Sequence, residues 1–145
     1  MTTNVFKTVG TGGDYADWNA LDAALPASFI TADELWTVRQ ISNITTTTAQ
    51  VISARAADAT RRLIIEGLTG SSWIELMIGV VPIFYNPAKG VTFTSNVGDN
   101  AFTIYAPFTE VRGMQFRCSS TASFANIMLR SNDIKLINRI VDSAN

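Results

Sequence analysis

The side chains in this sequence that could carry chemistry are twelve carboxylates, one thiol and no imidazole. Without histidine, the serine–histidine and cysteine–histidine nucleophile systems are excluded, and so is the commonest transition-metal ligand. Cys118 is the single cysteine, so an intrachain disulfide cannot form, and we expect a buried, unreactive thiol.

The acids do not form a recognisable catalytic pattern. Glycoside hydrolysis needs two carboxylates about 5–10 Å apart, whereas these are scattered along turns and strand ends. Glu66 and Glu75 flank a turn, and they are the pair that neighbouring strands could bring together. Asp14, Asp17 and Asp22 surround a predicted helix, where helix capping and solvation explain them better than a calcium loop. We therefore predict no catalytic residue, no cofactor-binding residue, no metal ligand and no enzymatic activity.

A glycine-rich turn follows a short predicted strand near the start of the chain. Val5, Lys7 and Val9 alternate with Phe6 and Thr8, a pattern that predicts a strand with two differently exposed faces. The next segment, Gly10–Asp14 (GTGGD), invites comparison with phosphate-binding loops. The dinucleotide fingerprint would need a third glycine at the position that Tyr15 occupies. A P-loop would need a Gly-Lys-Ser/Thr ending, which this segment lacks. The segment therefore predicts a tight turn.

The turn leads into a short amphipathic helix. Trp18, Leu21 and Leu25 follow one another at spacings of three and four, which places them on one apolar stripe. Pro26 disfavours the α conformation at the preceding residue, so the helix is expected to stop there. A helix of about ten residues is marginal alone, so something must lie beneath the stripe. We interpret residues 1–26 as an N-terminal strand and a capping helix.

The rest of the chain, residues 35–145, reads as short β segments after a predicted loop over residues 27–34. A weak repeat is visible, because Asn138 falls on Gly113 when their segments are aligned 25 residues apart. Hairpin dipeptides of the Asn-Gly or Asp-Gly type are absent, which favours a parallel β-solenoid. An antiparallel sandwich is the alternative. The principal predicted strands are Leu35–Ile44, Leu63–Glu66, Val111–Phe116 and Leu136–Val141.

Composition limits the possible partners. The chain has 145 residues, enough for a single domain over residues 1–145, and its net charge is −1. This balance predicts no nucleic-acid partner and no anionic membrane surface. Neither a secretory signal nor an apolar run of membrane-spanning length is visible.

The N-terminal residues carry a family resemblance. Lys7–Pro26 resembles the opening of right-handed parallel β-helix (pectin-lyase-like) proteins, which include pectin methylesterases and bacteriophage tail-spike, fibre and other virion proteins. Asp58–Arg61, followed by the Leu63–Glu66 strand, resembles a second marker of phage members. The resemblance implies an all-β fold, a right-handed parallel β-helix with a short N-terminal capping α-helix. The matching positions in the first motif are Gly12, Gly13, Asp14, Tyr15, Leu21, Ala24 and Pro26.

The resemblance also implies a role and a location. We expect a non-enzymatic structural protein of the virion, which decorates or cements the capsid or forms part of a tail spike or fibre. Its partners would be further copies of itself, with a homotrimer favoured, and other capsid or tail proteins. The apolar segment Ile74–Tyr85 is the expected contact surface, and Ile78→Asp should abolish assembly. The alternative is a module that binds host-surface glycans or depolymerises polysaccharide.

Overall fold

A computed structural model describes residues 1–67, 91–95, 102–118, 127–137 and 140–143. Within these ranges the chain forms many short strands and two short helices. The helices are α1 (Trp18–Ala24) and α2 (Phe29–Ala32). The strands are β1 (Thr3–Val9), β2 (Glu34–Gln40), β3 (Ile44–Thr46), β4 (Gln50–Ile52), β5 (Leu63–Glu66), β6 (Thr92–Ser95), β7 (Phe102–Ile104), β8 (Glu110–Arg112), β9 (Gln115–Cys118), β10 (Ile127–Leu129), β11 (Lys135–Ile137) and β12 (Ile140–Ser143).

The described strands form three sheets. Their orders are β1-β2-β5-β8-β11, β10-β7-β4 and β12-β9-β6-β3. Every pairing between the described strands is parallel, so the antiparallel sandwich is not the fold of these residues. Parallel neighbours require crossover connections. Helices α1 and α2 lie in the connection from β1 to β2, and the connections from β2 to β5, from β5 to β8 and from β8 to β11 each contribute a strand to both other sheets.

The predicted fold class has to be corrected. The prediction of an all-β right-handed parallel β-helix with one capping helix is wrong. The described residues build three small, flat parallel sheets and two short helices. The second helix arises where a loop was predicted. Ser28 caps it by accepting a hydrogen bond from the Thr31 N–H at 3.0 Å. Asp33 ends it in the left-handed conformation, with φ of 54°, and the buried Phe29 anchors it.

The first helix matches its prediction. Trp18, Leu21 and Leu25 are all buried, which confirms the apolar stripe. Asp17 is the N-cap, and its carboxylate accepts a hydrogen bond from the Ala20 N–H at 2.8 Å. Leu25 already has extended backbone angles, as expected for the residue before Pro26. None of the helices in the described ranges has the length and apolar character to cross a bilayer.

The strand boundaries differ from the predicted ones at three places, one of which is the Leu136–Val141 segment, divided between β11 and β12. The Val111–Phe116 segment divides into β8 and β9, because Gly113 has a φ of 59° that turns the chain from one sheet to another. Likewise, the Leu35–Ile44 segment divides into β2 and the start of β3. The 25-residue alignment is confirmed by the pairing of Lys135 with Glu110.

Aromatic rings fill the interior between the sheets. Phe93, Phe102 and Phe116 are fully buried, with centroid separations from 5.4 to 6.1 Å. The Trp18 ring joins this stack at 5.5 Å from Phe102, so α1 contributes directly to the core. Such aromatic pairs contribute about 0.5–1.5 kcal/mol each beyond simple burial. The sequence also offers other aromatic residues for the core, of which Tyr105 is 40% exposed and Phe108 is partly buried. Trp73, Phe84, Tyr85 and Phe124 lie outside the described residues.

Candidate functional site

Charged side chains follow one another across the outer face of the five-stranded sheet. Arg39 on β2 lies opposite Glu66 on β5, and Glu66 lies opposite Arg112 on β8. Their sequence neighbours Val38 and Ile65 are fully buried, so alternation along each strand directs the charged residues outward. We call Arg39, Glu66, Arg112, Glu110 and Arg62 the charge ladder.

One half of the charge ladder is centred on Glu66. One of its carboxylate oxygens accepts a hydrogen bond from Nη2 of Arg39 at 2.9 Å. The other lies 3.7 Å from Nη1 of Arg112. The Arg39 guanidinium also sits 5.1 Å from the ring centroid of Phe6, which is 54% exposed. Glu66 is therefore neutralised from both sides.

The other half of the charge ladder is centred on Glu110, whose side chain is nearly buried. Its two oxygens accept hydrogen bonds from Nε of Arg112 at 2.7 Å and from Nη2 of Arg62 at 3.1 Å. The hydrogen bond from Arg112 lowers the pKa of Glu110, against the opposing effect of burial. The same bond raises the pKa of Arg112.

This electrostatic pattern decides what the charge ladder can do. A general acid must hold its proton near neutral pH, which requires a carboxyl pKa above its ordinary value. Glu110 is shifted the opposite way, and Glu66 lies between two guanidinium groups. These two carboxylates are suited to holding strands in register. Glu110, with its lowered pKa, is not suited to donating a proton.

The three aspartates around α1 have separate structural tasks. Asp14 accepts hydrogen bonds from the N–H and the hydroxyl of Thr8, both at 2.8 Å, and these bonds lower its pKa. Asp17 caps the helix. Asp22 accepts hydrogen bonds from the N–H and the hydroxyl of Ser53, at 2.8 and 2.7 Å. Among the described residues, no group of three or more potential metal ligands lies together.

Helix α1 covers the free edge of β4. The Asn19 carboxamide accepts a hydrogen bond from the Val51 N–H at 2.9 Å and donates one to the Ala49 carbonyl at 3.0 Å. Asp22 satisfies the next outward N–H, that of Ser53. Arg55 then binds the Asp22 carboxylate at 2.7 Å. Together these side chains supply the hydrogen bonds that a neighbouring strand would make.

The Asp58–Arg61 motif is a self-contained turn. The Asp58 carboxylate accepts hydrogen bonds from the N–H and hydroxyl of Thr60 and from the N–H and Nε of Arg61, all at 2.8 to 2.9 Å. The contacts with Arg61 are the main reason that the pKa of Asp58 is strongly lowered. The motif thus orients the chain as it enters β5.

A shallow pocket of about 220 Å³ lies between the glycine turn and β3. Ala16 and Ile44 provide apolar surface, and the other lining residues carry hydroxyl, amide or carboxylate groups. At this volume only a small ligand fits, because typical drug-sized sites start at about 300 Å³. The polar lining residues are Thr11, Asp17, Asn43, Thr45 and Thr46.

The structure describes some of the candidate residues predicted from the sequence and not others. Glu66 is in the charge ladder, whereas Glu75, its suggested partner, lies outside the described residues, as does the Ile74–Tyr85 surface. Cys118 is the last residue of β9, and the burial of its thiol stays a prediction. Sequence reasoning missed the ladder itself. A signal was present, since Arg39, Glu66 and Arg112 each directly follow a β-branched apolar residue within a strand.

Comparisons with protein-family models, with curated proteins and with solved structures find no match to this chain.

Proposed function

We propose that this protein is a non-enzymatic structural component of a bacteriophage particle. In this role it is a rigid module that decorates or cements the capsid, or forms part of a tail spike or fibre. It acts through contacts with further copies, a trimer being favoured, and with other virion proteins. The resemblance of Lys7–Pro26 and Asp58–Arg61 to virion proteins supports the phage assignment.

The observation that carries the non-enzymatic role is the double pairing of each carboxylate in the charge ladder. Glu66 contacts Arg39 and Arg112, while Glu110 contacts Arg112 and Arg62. Ion pairs that bridge three parallel strands favour the register that the strands already adopt. A hydrolase would instead need a pair of carboxylates pushed to different protonation states.

Purified phage particles that carry the gene for this chain provide the test. Quantitative peptide mass spectrometry on gradient-purified virions should recover the chain at a fixed number of copies per particle. Native mass spectrometry of the isolated protein should reveal a homo-oligomer. Recovery of the chain solely from the soluble lysate would contradict the virion role.

The absence of catalysis is tested separately. A reducing-sugar assay over a panel of bacterial polysaccharides should show no release of product. Product release that disappears in Glu66→Gln or Glu110→Gln, while the variants stay folded, would contradict the non-enzymatic role. It would favour the depolymerase alternative.

The pocket supports a second candidate function, the binding of a host-surface glycan. Exposed Thr11 and Thr45 hydroxyls and the Asn43 amide can exchange hydrogen bonds with sugar hydroxyls in this mainly polar pocket. Saturation-transfer NMR with single monosaccharides should then show contact that Thr45→Val weakens. Thr47→Val, outside the pocket on an exposed threonine, is the matched control.

A further inference from the structure

The free edge of β1 is only partly covered. In a parallel pair, a residue directs both its N–H and its carbonyl to the same side. Thr3 donates its N–H to the Asp33 carbonyl beside β2, and the Val9 carbonyl accepts from the Ile41 N–H. Odd-numbered residues of β1 therefore face β2. The backbone N–H and carbonyl groups of the even-numbered Asn4, Phe6 and Thr8 therefore point away from β2, toward the open edge of the sheet.

Thr8 is already occupied on that outward side. Its N–H donates to the Asp14 carboxylate at 2.8 Å, and its carbonyl accepts from the Tyr15 N–H at 3.1 Å. Asn4 and Phe6 have no such cover among the described residues, and both side chains are exposed. The glycine turn thus closes one end of the β1 edge and leaves the other end open.

The open end lacks the usual protection against pairing. Natural edge strands are blunted by charged residues, proline, bulges or a covering helix, as α1 covers β4 through Asn19. Thr2–Phe6 (TTNVF) contains no charge and no proline. The nearby Lys7 is turned toward Asp14, with Nζ 3.5 Å from the carboxylate. Nothing along Thr2–Phe6 repels an identical strand.

We infer that the open edge of β1 pairs antiparallel with the same edge of a second copy, about a two-fold axis at Asn4. This inference rests on the proposed assembly role and specifies one of its contacts. Asn4 would exchange both backbone hydrogen bonds with Asn4 of the other copy, and Thr2 would do so with Phe6. A centre at Phe6 is blocked, because it would require the outward groups of Thr8. A centre at Val5 would pair Asn4 with Phe6 but would set Thr2 opposite the occupied Thr8, so it forms fewer hydrogen bonds.

The pairing also matches the side chains. Across the two-fold axis, Asn4 faces an identical carboxamide, which can both donate and accept. Phe6, now 54% exposed, would be covered by the second copy near Thr2. The contact joins two five-stranded sheets edge to edge and removes an unpaired edge from each. It is an isologous two-fold contact, so together with the three-fold contact of the favoured trimer it would build a hexamer from two trimers.

Assembled mass is the first test. Asn4→Lys places two ammonium groups at the axis, so native mass spectrometry should show half the wild-type mass, whether a dimer becomes a monomer or a hexamer becomes a trimer. Asn4→Thr keeps the backbone groups and should leave the mass unchanged. Circular dichroism should show both variants folded, since Asn4 is exposed. An unchanged mass in Asn4→Lys overturns the inference.

Cross-linking tests the register independently. In a hydrogen-bonded antiparallel pair the Cα atoms lie about 5.5 Å apart, within the range of a disulfide. In a Cys118→Ser background, Asn4→Cys should therefore form a disulfide-linked dimer on mild oxidation. Phe6→Cys should not, because its symmetry mates would be separated by roughly 13–14 Å along the strands.

The outcomes separate this contact from the proposed function. A wild-type protein that stays monomeric at all concentrations, or whose oligomers contain an odd number of copies, overturns the β1 pairing. Phe6→Cys cross-linking in place of Asn4→Cys also overturns it. Recovery of the chain from purified virions would still support the structural role in each case.

Discussion

The Asn19 carboxamide stands beside Val51 where a strand neighbour would otherwise be, with its oxygen 2.9 Å from the Val51 N–H. A helix can rarely satisfy the edge of a sheet, because its own backbone groups are already used within the helix. Asn19 and Asp22, three residues apart on α1, solve this with side-chain atoms at alternate residues of β4. The helix therefore completes the three-stranded sheet.

Asn19→Ala tests this relationship. The Val51 N–H and the Ala49 carbonyl would lose their side-chain partners at an exposed position, so the free energy of unfolding should fall by about 0.5–1.5 kcal/mol. Urea denaturation followed by circular dichroism measures the change. Asn132→Ala, at an exposed turn position, is the matched control and should stay within about 0.5 kcal/mol of wild type. Equal losses in both variants would contradict the edge-covering role.

Acid should destabilise the protein through Glu110. Its folded-state pKa is lowered, so its stabilising contribution is complete above the unfolded value of about 4.3 and is lost as pH falls through the lower folded value. Urea midpoints should therefore decrease below about pH 4. Glu110→Gln should lower the midpoint at neutral pH and flatten its pH dependence. An undiminished acid dependence in Glu110→Gln would assign the effect to other carboxylates, of which Asp14 and Asp58 are the first candidates.

The Arg39–Glu66 pair should contribute little to stability by itself. Both side chains are partly exposed, at 35% and 21%, so a double-mutant cycle with Arg39→Gln and Glu66→Gln should give a coupling energy of about 0.2–1 kcal/mol. High salt should reduce the coupling by screening. A coupling of several kcal/mol, insensitive to salt, would mean that the pair is effectively buried. The charge ladder would then be a central source of stability.

Two glycines should respond differently to alanine. A Cβ at Gly67 would lie 2.7 Å from the Gly113 carbonyl oxygen and would also press on Met114, both in a buried region. Gly67→Ala should therefore cost well over 1 kcal/mol, as other overpacked sites do. At Gly12, with φ of 81°, no atom lies within 4 Å, so Gly12→Ala should cost about 1–2 kcal/mol through backbone strain alone. Thermal unfolding of both variants makes the comparison, and a larger loss at Gly12 would contradict it.

Several features followed from local sequence because they depend on near neighbours. The stripe of Trp18, Leu21 and Leu25 and the stop before Pro26 are set by spacings within two turns of helix. The 25-residue alignment was visible because apolar alternation repeats in segments of similar length. Helix α2 was not predicted, since four residues are too few for a periodic pattern and its formation depends on the burial of Phe29.

The amino-acid order by itself determined the capping helix, the short strands and the exclusion of histidine chemistry. Tertiary structure alone decided that the strands form three separate parallel sheets, and that Arg39, Glu66 and Arg112 meet. These residues are separated by unequal stretches of chain, so no single period links them. They come together because parallel pairing fixes the register of β2, β5 and β8, and register depends on contacts between distant segments.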